Sequence, residues 1–166
     1  MLRIRNINVT DRGKIYNIIQ NDEIFTSGEI ELFLFRMDIF LFEKEQKLFK
    51  VIIVEDKIKE VQGYAVFGTD PATVGMFQIY KIASSPLANQ KGVFERLLIY
   101  IEKQIKKRNG RIIIVEISSH TRYRSHFKFY LNNNYIVISK ITDFYAQGEH
   151  KLILSKYLYN VETKIV

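Results

Sequence analysis

The 166-residue sequence has no cysteine, only two prolines and eight glycines, and no long uninterrupted apolar run. Without cysteine there is no disulfide, no thiolate zinc site and no cysteine nucleophile. No proline- or glycine-rich linker and no internal repeat divides the chain, so residues 1–166 are expected to form a single domain. The greasiest stretch, Leu32 to Phe42, is interrupted by Arg36 and Asp38 and is too short to span a bilayer. The first residues, Met1-Leu2-Arg3-Ile4-Arg5-Asn6, lack an apolar leader segment. Neither a signal peptide nor a membrane partner is therefore expected, and the cytoplasm is the expected location.

What is present suits a globular fold. Hydrophobic residues make up 47% of the chain and charged residues 26%, and a chain of this length buries roughly 70% of its unfolded surface. The net charge is +7, which favours an acidic partner such as nucleic acid, anionic lipid or a polyphosphate cofactor. His120 and His126 stand six apart, wrong for two ligands on one helical face, and no acidic cluster accompanies them. No metal site is expected.

Apolar periodicity gives the element order. Leu2 to Asn8 alternates as a half-buried strand does. Thr10-Asp11 offers an N-cap for a short helix through Ile15, Ile18 and Ile19. Thr26-Ser27-Gly28-Glu29 opens a second helix with Ile30, Phe33, Leu34, Met37 and Leu41 on one face, widened by Phe35, Phe40 and Phe42. Phe49 to Glu55 and Val61 to Gly68 are strands joined by a turn at Asp56-Lys57-Ile58-Lys59. A third strand spans Thr73 to Ala83 and stops before Pro86. A helix of about five turns follows from Lys91 to the stop signal Asn109-Gly110. Arg111 to Ser118, with four consecutive β-branched residues, is a strand covered on both faces. A helix from Thr121 to Leu131 and two strands, Tyr135 to Ile141 and Lys151 to Tyr157, complete an α/β arrangement. The order strand–long helix–strand argues for a parallel pair with a right-handed crossover.

The most informative segment runs from Ile82-Ala83-Ser84 through Asn89-Gln90-Lys91-Gly92-Val93-Phe94. A strand passes through a short loop with one glycine directly into an amphipathic helix. The first N–H groups of a helix have no internal acceptor and carry partial positive charge, so a phosphate binds there readily, with Lys91 adding charge. The loop is neither a Walker loop nor a dinucleotide fingerprint.

This segment resembles motif A of the GNAT acetyltransferase superfamily, in which a strand ends in a small-residue turn followed by Gln/Arg-x-x-Gly-x-Gly/Ala. Asn89, Gly92 and Phe94 occupy the three defined positions. The resemblance extends to the leucine-rich helix, to Gly110, and to the aromatic pair Phe129-Tyr130 before the turn Asn132-Asn133-Asn134. It implies the GNAT fold: a mixed, mostly antiparallel sheet of six or seven strands with a parallel β4–β5 pair and helices on both faces. It also implies acetyl-CoA as co-substrate. Ile82, Ala83 and Ser84 would meet the pantetheine arm, and the backbone of Asn89, Gln90, Lys91, Gly92, Val93 and Phe94 would hold the pyrophosphate. Tyr130 would be the general acid. Many family members place a glutamate early in the fourth strand where this chain has Gln78, so Glu116, or else Asp143, is the candidate base.

The chain departs from the pattern at Asn89, short and uncharged, and at Phe94, bulky where the family keeps a small residue. Phe94 also shares the apolar face of Leu97, Leu98 and Ile101. Asp143 to Glu149 is either an acceptor loop or a plain hairpin with a glycine turn. Lys103, Lys106, Lys107, Arg108, Arg122, Arg124 and Lys128 form a solvated face, a site for the cofactor's 3′-phosphate, or a nucleic-acid surface, the last the least favoured. The expected activity is transfer of an acetyl group to a primary amine of a small molecule, peptide or protein. The alternatives are a non-catalytic binding module and a basic nucleic-acid-binding domain. The sequence also leaves room for a homodimer.

Overall fold

The computed structural model describes residues 2–20, 26–43, 48–85, 88 and 92–159. Seven strands and four principal helices follow the predicted order. They are β1 (Arg3–Asn6), α1 (Arg12–Gln20), α2 (Ser27–Phe42), β2 (Phe49–Glu55), β3 (Val61–Thr69), β4 (Met76–Ser84), α3 (Val93–Lys106), β5 (Ile112–Ser118), α4 (Arg124–Asn132), β6 (Ile136–Ala146) and β7 (Glu149–Tyr157). The strands form one mixed sheet in the order β1-β2-β3-β4-β5-β7-β6, with β4 and β5 parallel. This is the α/β arrangement expected. The chain forms two compact units, residues 1–68 with 80–104 and residues 69–79 with 105–166.

In the first unit, β2 pairs antiparallel with β1 and β3. Val51 and Ile53 of β2 share a face with Val66 and Tyr64 of β3, and Ile15, Ile18 and Ile19 of α1 join Phe33 and Met37 of α2 in the core upon them. The turn at Asp56 works because its carboxylate accepts the N–H groups of Ile58 and Glu60, each at 3.0 Å, while Lys59 takes a left-handed φ of 63°. Thr26 and Glu29 form the predicted cap of α2 reciprocally: each side chain accepts the other residue's backbone N–H.

The predicted cap of the first helix is displaced. Asn8, not Thr10, is the cap, its side chain accepting the Thr10 N–H, and a single 3-10 turn, Val9–Asp11, precedes α1. Asp11 turns inward because Arg5 claims it. The guanidinium donates to both Asp11 oxygens at 2.7 and 2.9 Å and to Glu55 at 2.8 Å. Burial works against the Asp11 charge, but the bonds from Arg5 and from the Asn8 N–H outweigh it and hold the carboxyl below its ordinary value.

The second unit holds the first half of β4 with β5, β7 and β6. Parallel pairing runs from Met76↔Ile112 to Ile79↔Val115, while β4 continues to Ser84 and β5 to Ser118. Ile113, Val115 and Ile117 are buried on one face with Leu154 of β7. Two boundaries differ from expectation. Strand β4 starts at Met76 because residues 70–75 form a turn, closed by the Thr73 N–H on the Asp70 carbonyl and by Gly75 at φ 76°. The last hairpin is longer than predicted, with strand pairing continuing to Ala146↔Glu149 around Gly148 at φ 81°.

Removing Arg5 would leave two buried carboxylates without their shared cation. Arg5→Met is expected to cost about 3 kcal/mol in urea unfolding at pH 7. The Asp11 contribution has a defined sign: a depressed folded-state value stabilises above the unfolded carboxyl range and is lost as pH falls through the folded value. The difference between Arg5→Met and the native chain should therefore shrink on acidification.

Candidate cofactor and catalytic site

The end of β4 and the start of α3 lie within the first unit, and their closeness has a local cause. A methyl group on Gly63 of β3 would stand 2.7 Å from the Ala83 carbonyl oxygen and 2.8 Å from a γ-methyl of Val93. Only hydrogen fits there, so the glycine lets the last turn of strand and the first residue of helix press onto β3. Ser85 then donates its N–H to the Gln62 carbonyl at 3.0 Å and accepts the Ala88 N–H on its own carbonyl at 2.9 Å. Ile82, Ala83, Ala88 and Val93 are all buried.

Gly92 has φ 67° with open space around it, a conformation suited to glycine. An i→i−4 bond at the start of α3 runs from the Arg96 N–H to the Gly92 carbonyl at 3.1 Å. The N–H groups of Val93 and Glu95 belong to the first turn of α3, and the positions four residues before them lie outside the described residues. Glu95 and Arg96, both exposed, put one charge of each sign at this end.

Phe94 is 8% exposed on the face that also buries Leu97, Leu98 and Ile101. Its ring therefore belongs to the packed side of the helix, as the apolar spacing suggested. Asn89, Gln90 and Lys91 lie outside the described residues.

Tyr130 and Glu116 both belong to the second unit. Tyr130, on α4, is buried, with ring centroids 5.7 Å from Phe129 and 5.2 Å from Tyr135, both edge-on. Burial pushes its phenol well above the ordinary value, so it holds its proton across the physiological range. The backbone turn that ends α4, with Asn134 at φ 65° and the Tyr135 N–H on the Tyr130 carbonyl at 3.1 Å, fixes this cluster.

Glu116 lies on the opposite face of the sheet. It is in register with Ile153, and its carboxylate meets the Lys151 ammonium at 2.5 Å. Lys156, whose ammonium sits 5.5 Å from the Tyr135 ring, is instead in register with Ile113. Glu116 and Tyr130 are thus not brought together. Gln78 is half-buried beside Ile114, and an amide takes no proton. Asp143, at φ 53°, accepts the Gly148 N–H at 2.9 Å and its own N–H donates to His150 at 3.0 Å. It serves to shape the hairpin.

Two features were not drawn from the sequence. Gly63 was absorbed into a strand, although a glycine inside a β run is itself a signal of close backbone approach. The second is a polar clasp: His150 donates its N–H to the Ser119 hydroxyl at 2.8 Å, the Ser119 N–H donates to the His150 carbonyl at 2.9 Å, and Glu149 lies 3.9 Å from His120 and 3.8 Å from Arg122. Nothing local links residues so far apart in sequence. Among the described residues no cluster of histidines and acids is arranged to hold a metal, and no helix is long and apolar enough to cross a membrane.

Gly63→Ala forces a methyl against a backbone carbonyl and a buried valine. It should destabilise the chain by about 1–3 kcal/mol, measured by urea unfolding, whereas Gly92→Ala meets no atom and is penalised only by its backbone angle.

No family profile matches the sequence, and no curated protein does. Solved structures do match. A protein of Desulfovibrio desulfuricans assigned as an acetyltransferase of the GNAT family superimposes with TM-score 0.90 at 21% identity, covering 96% of this chain and 100% of that one. The ribosomal-protein-S18-alanine N-acetyltransferase of Escherichia coli matches with TM-score 0.75 at 14% identity, over 100% and 99%. An aminoglycoside 6′-N-acetyltransferase solved with coenzyme A gives 0.72 at 13%, over 95% and 98%. Likeness over whole chains, together with the seven-stranded mixed sheet and its parallel β4–β5 pair, establishes that this protein has the GNAT fold.

Proposed function

We propose that this chain is an acetyl-CoA-dependent N-acetyltransferase acting on a primary amine of a small molecule, peptide or protein. The observation that carries the reading is the helix start at Gly92–Val93, delivered by β4 and held down by Gly63, in a chain with this fold. Backbone groups of Ile82–Ser84 would meet the pantetheine arm, and amides from Asn89 to Phe94 the pyrophosphate. Burial of the Phe94 ring in the helix's packed face supports this, because the amides then need not compete with it for the same space.

In the reaction the amine nitrogen attacks the thioester carbonyl. The new C–N bond forms, the C–S bond breaks, the amine loses a proton to a base and the sulfur gains one. Tyr130 is the proposed donor to sulfur. Like any phenol it is protonated at neutral pH, and its burial makes it the weaker acid, so the donor role rests on the resemblance to the family. Glu116, the base expected from the sequence, faces away from Tyr130 and is paired with Lys151, so it does not reach the centre that Tyr130 would serve. The amine proton leaves through water instead.

The enclosure of Tyr130 by Phe129 and Tyr135 favours a second reading, a binding module without catalysis. Calorimetry with acetyl-CoA and acetyl transfer to a panel of amines separate the two. Tyr130→Phe is expected to lower kcat about 100-fold while changing the acetyl-CoA dissociation constant by no more than about twofold. Unchanged turnover removes Tyr130 from the chemistry. Binding without turnover for any amine leaves the module, and no binding at millimolar acetyl-CoA removes both roles for the helix start.

A further inference from the structure

The net charge of +7 is unevenly distributed. In the second unit, residues 69–79 with 105–166, lysine and arginine outnumber aspartate and glutamate by eleven to five, so this unit alone holds +6 of it. Its acids are also engaged. Asp70 closes a turn by accepting the Ala72 N–H at 2.8 Å, Glu116 meets Lys151, Asp143 shapes the hairpin and Glu149 lies 3.8 Å from Arg122. Glu162 lies outside the described residues.

The free cations gather on one side of the sheet. Ile113 shares its face with Phe77 of β4 and with Lys156 of β7, and the Lys156 ammonium meets Tyr135 in the cluster that holds α4. The end of α3 reaches the same face, because Ile105 and Phe77 both press on Gly110. Lys140 of β6 is in register with Leu152, which alternates onto the side of Leu154 and Lys156. On α4, Arg124 and Lys128 are exposed one turn apart. Between Glu102 and Asp143 the sequence has one acid, Glu116, and it stands on the opposite face. Among the described residues Lys106, Lys107, Arg108, Arg124, Lys128 and Lys140 meet no carboxylate.

Three readings were open for these cations, and their placement separates them. A merely solvated face mixes the two signs, whereas a field of one sign from two helices and a strand concentrates anions. The 3′-phosphate of a cofactor is a single group and does not span a helix end, a helix face and an edge strand. A protein partner needs a desolvated apolar centre, and Leu131, 41% exposed, is the only large apolar side chain that α4 exposes. A nucleic-acid backbone needs no such centre, since its affinity comes from neutralised phosphates and released counterions. Half-buried Phe127, between Arg124 and Lys128 in sequence, offers a ring on which an unpaired base can stack.

We infer that the α4 side of the second unit is a binding surface for single-stranded nucleic acid, held by its phosphates without regard to sequence. This does not depend on the acetyl-transfer reading.

Fluorescence anisotropy of the full chain with a labelled RNA single strand of about 20 nucleotides, from about 50 to 200 mM salt, tests it. Affinity should fall with a log–log slope of about −3, as contact with about four phosphates requires. Lys128→Gln should shrink that slope by about 0.7, and the double variant Arg124→Glu, Lys128→Glu should weaken binding at least about 10-fold with an unchanged far-UV spectrum. Lys57→Gln, on the exposed turn after β2 of the first unit, should alter neither. No binding, a flat salt response, or binding indifferent to the α4 variants would overturn the inference. So would polyglutamate of equal length binding as tightly, which indicates an acidic protein, or displacement of the RNA by millimolar coenzyme A, which assigns the cations to the cofactor.

Discussion

The cofactor reading proposed for this chain depends on one close approach: the bare α-carbon of Gly63 facing the Ala83 carbonyl and the Val93 side chain. Strand β4 delivers its end to that spot, and α3 begins there with Val93 fully buried. A side chain on residue 63 would push helix and strand apart by the thickness of a methyl group. The helix start would then lose the position that the proposed diphosphate contact requires. Hydrophobic burial along Phe94, Leu97, Leu98 and Ile101 fixes the rotation of α3 about its axis. That rotation turns the residue-94 ring towards the core.

The second unit poses a different balance. Its sheet buries Ile113, Val115 and Ile117 on one side and leaves Glu116 on the other, tied to Lys151. Tyr130 is held by aromatic edges and by the turn that closes α4. Burial makes its proton harder to remove, which secures the protonation state of an acid while making it a weaker one. Proton transfer from such a phenol to a thiolate is uphill, so burial counts against that role rather than for it.

The element order was legible because it rests on strong periodicity. The β-branched run at Ile112 to Val115, the stop at Asn109-Gly110 and the helix opening at Thr26 to Glu29 each mark the element expected, but β5 is buried on one face only and not covered on both, since Glu116 on its other face is exposed. Boundaries were misjudged where β-formers sit in turns. Thr73 and Val74 look like strand but belong to a turn closed by Asp70. Phe144 and Tyr145 lie in strand, although Asp143 and Gly148 around them suggested a loop. The cap at Asn8 was hidden because Asp11 is recruited by Arg5, a contact set by the pairing of β1 with β2 and not by neighbours in sequence. The candidate site was legible only as a pattern: the glycine, the strand and the helix could be named. The spacing set by Gly63, the pairing of Glu116 and the enclosure of Tyr130 arise from contacts across strands, which one-dimensional spacing does not carry.

The central claim is that the amides leading into α3 receive a diphosphate. Backbone amide spectra of the ¹⁵N-labelled chain, titrated with acetyl-CoA and separately with acetyl-pantetheine, test it most directly. The account predicts saturable movement of the Gly92, Val93 and Glu95 signals with acetyl-CoA and much smaller movement with the analogue that lacks the diphosphate. Acetyl-CoA that binds while those three signals stay still would contradict it.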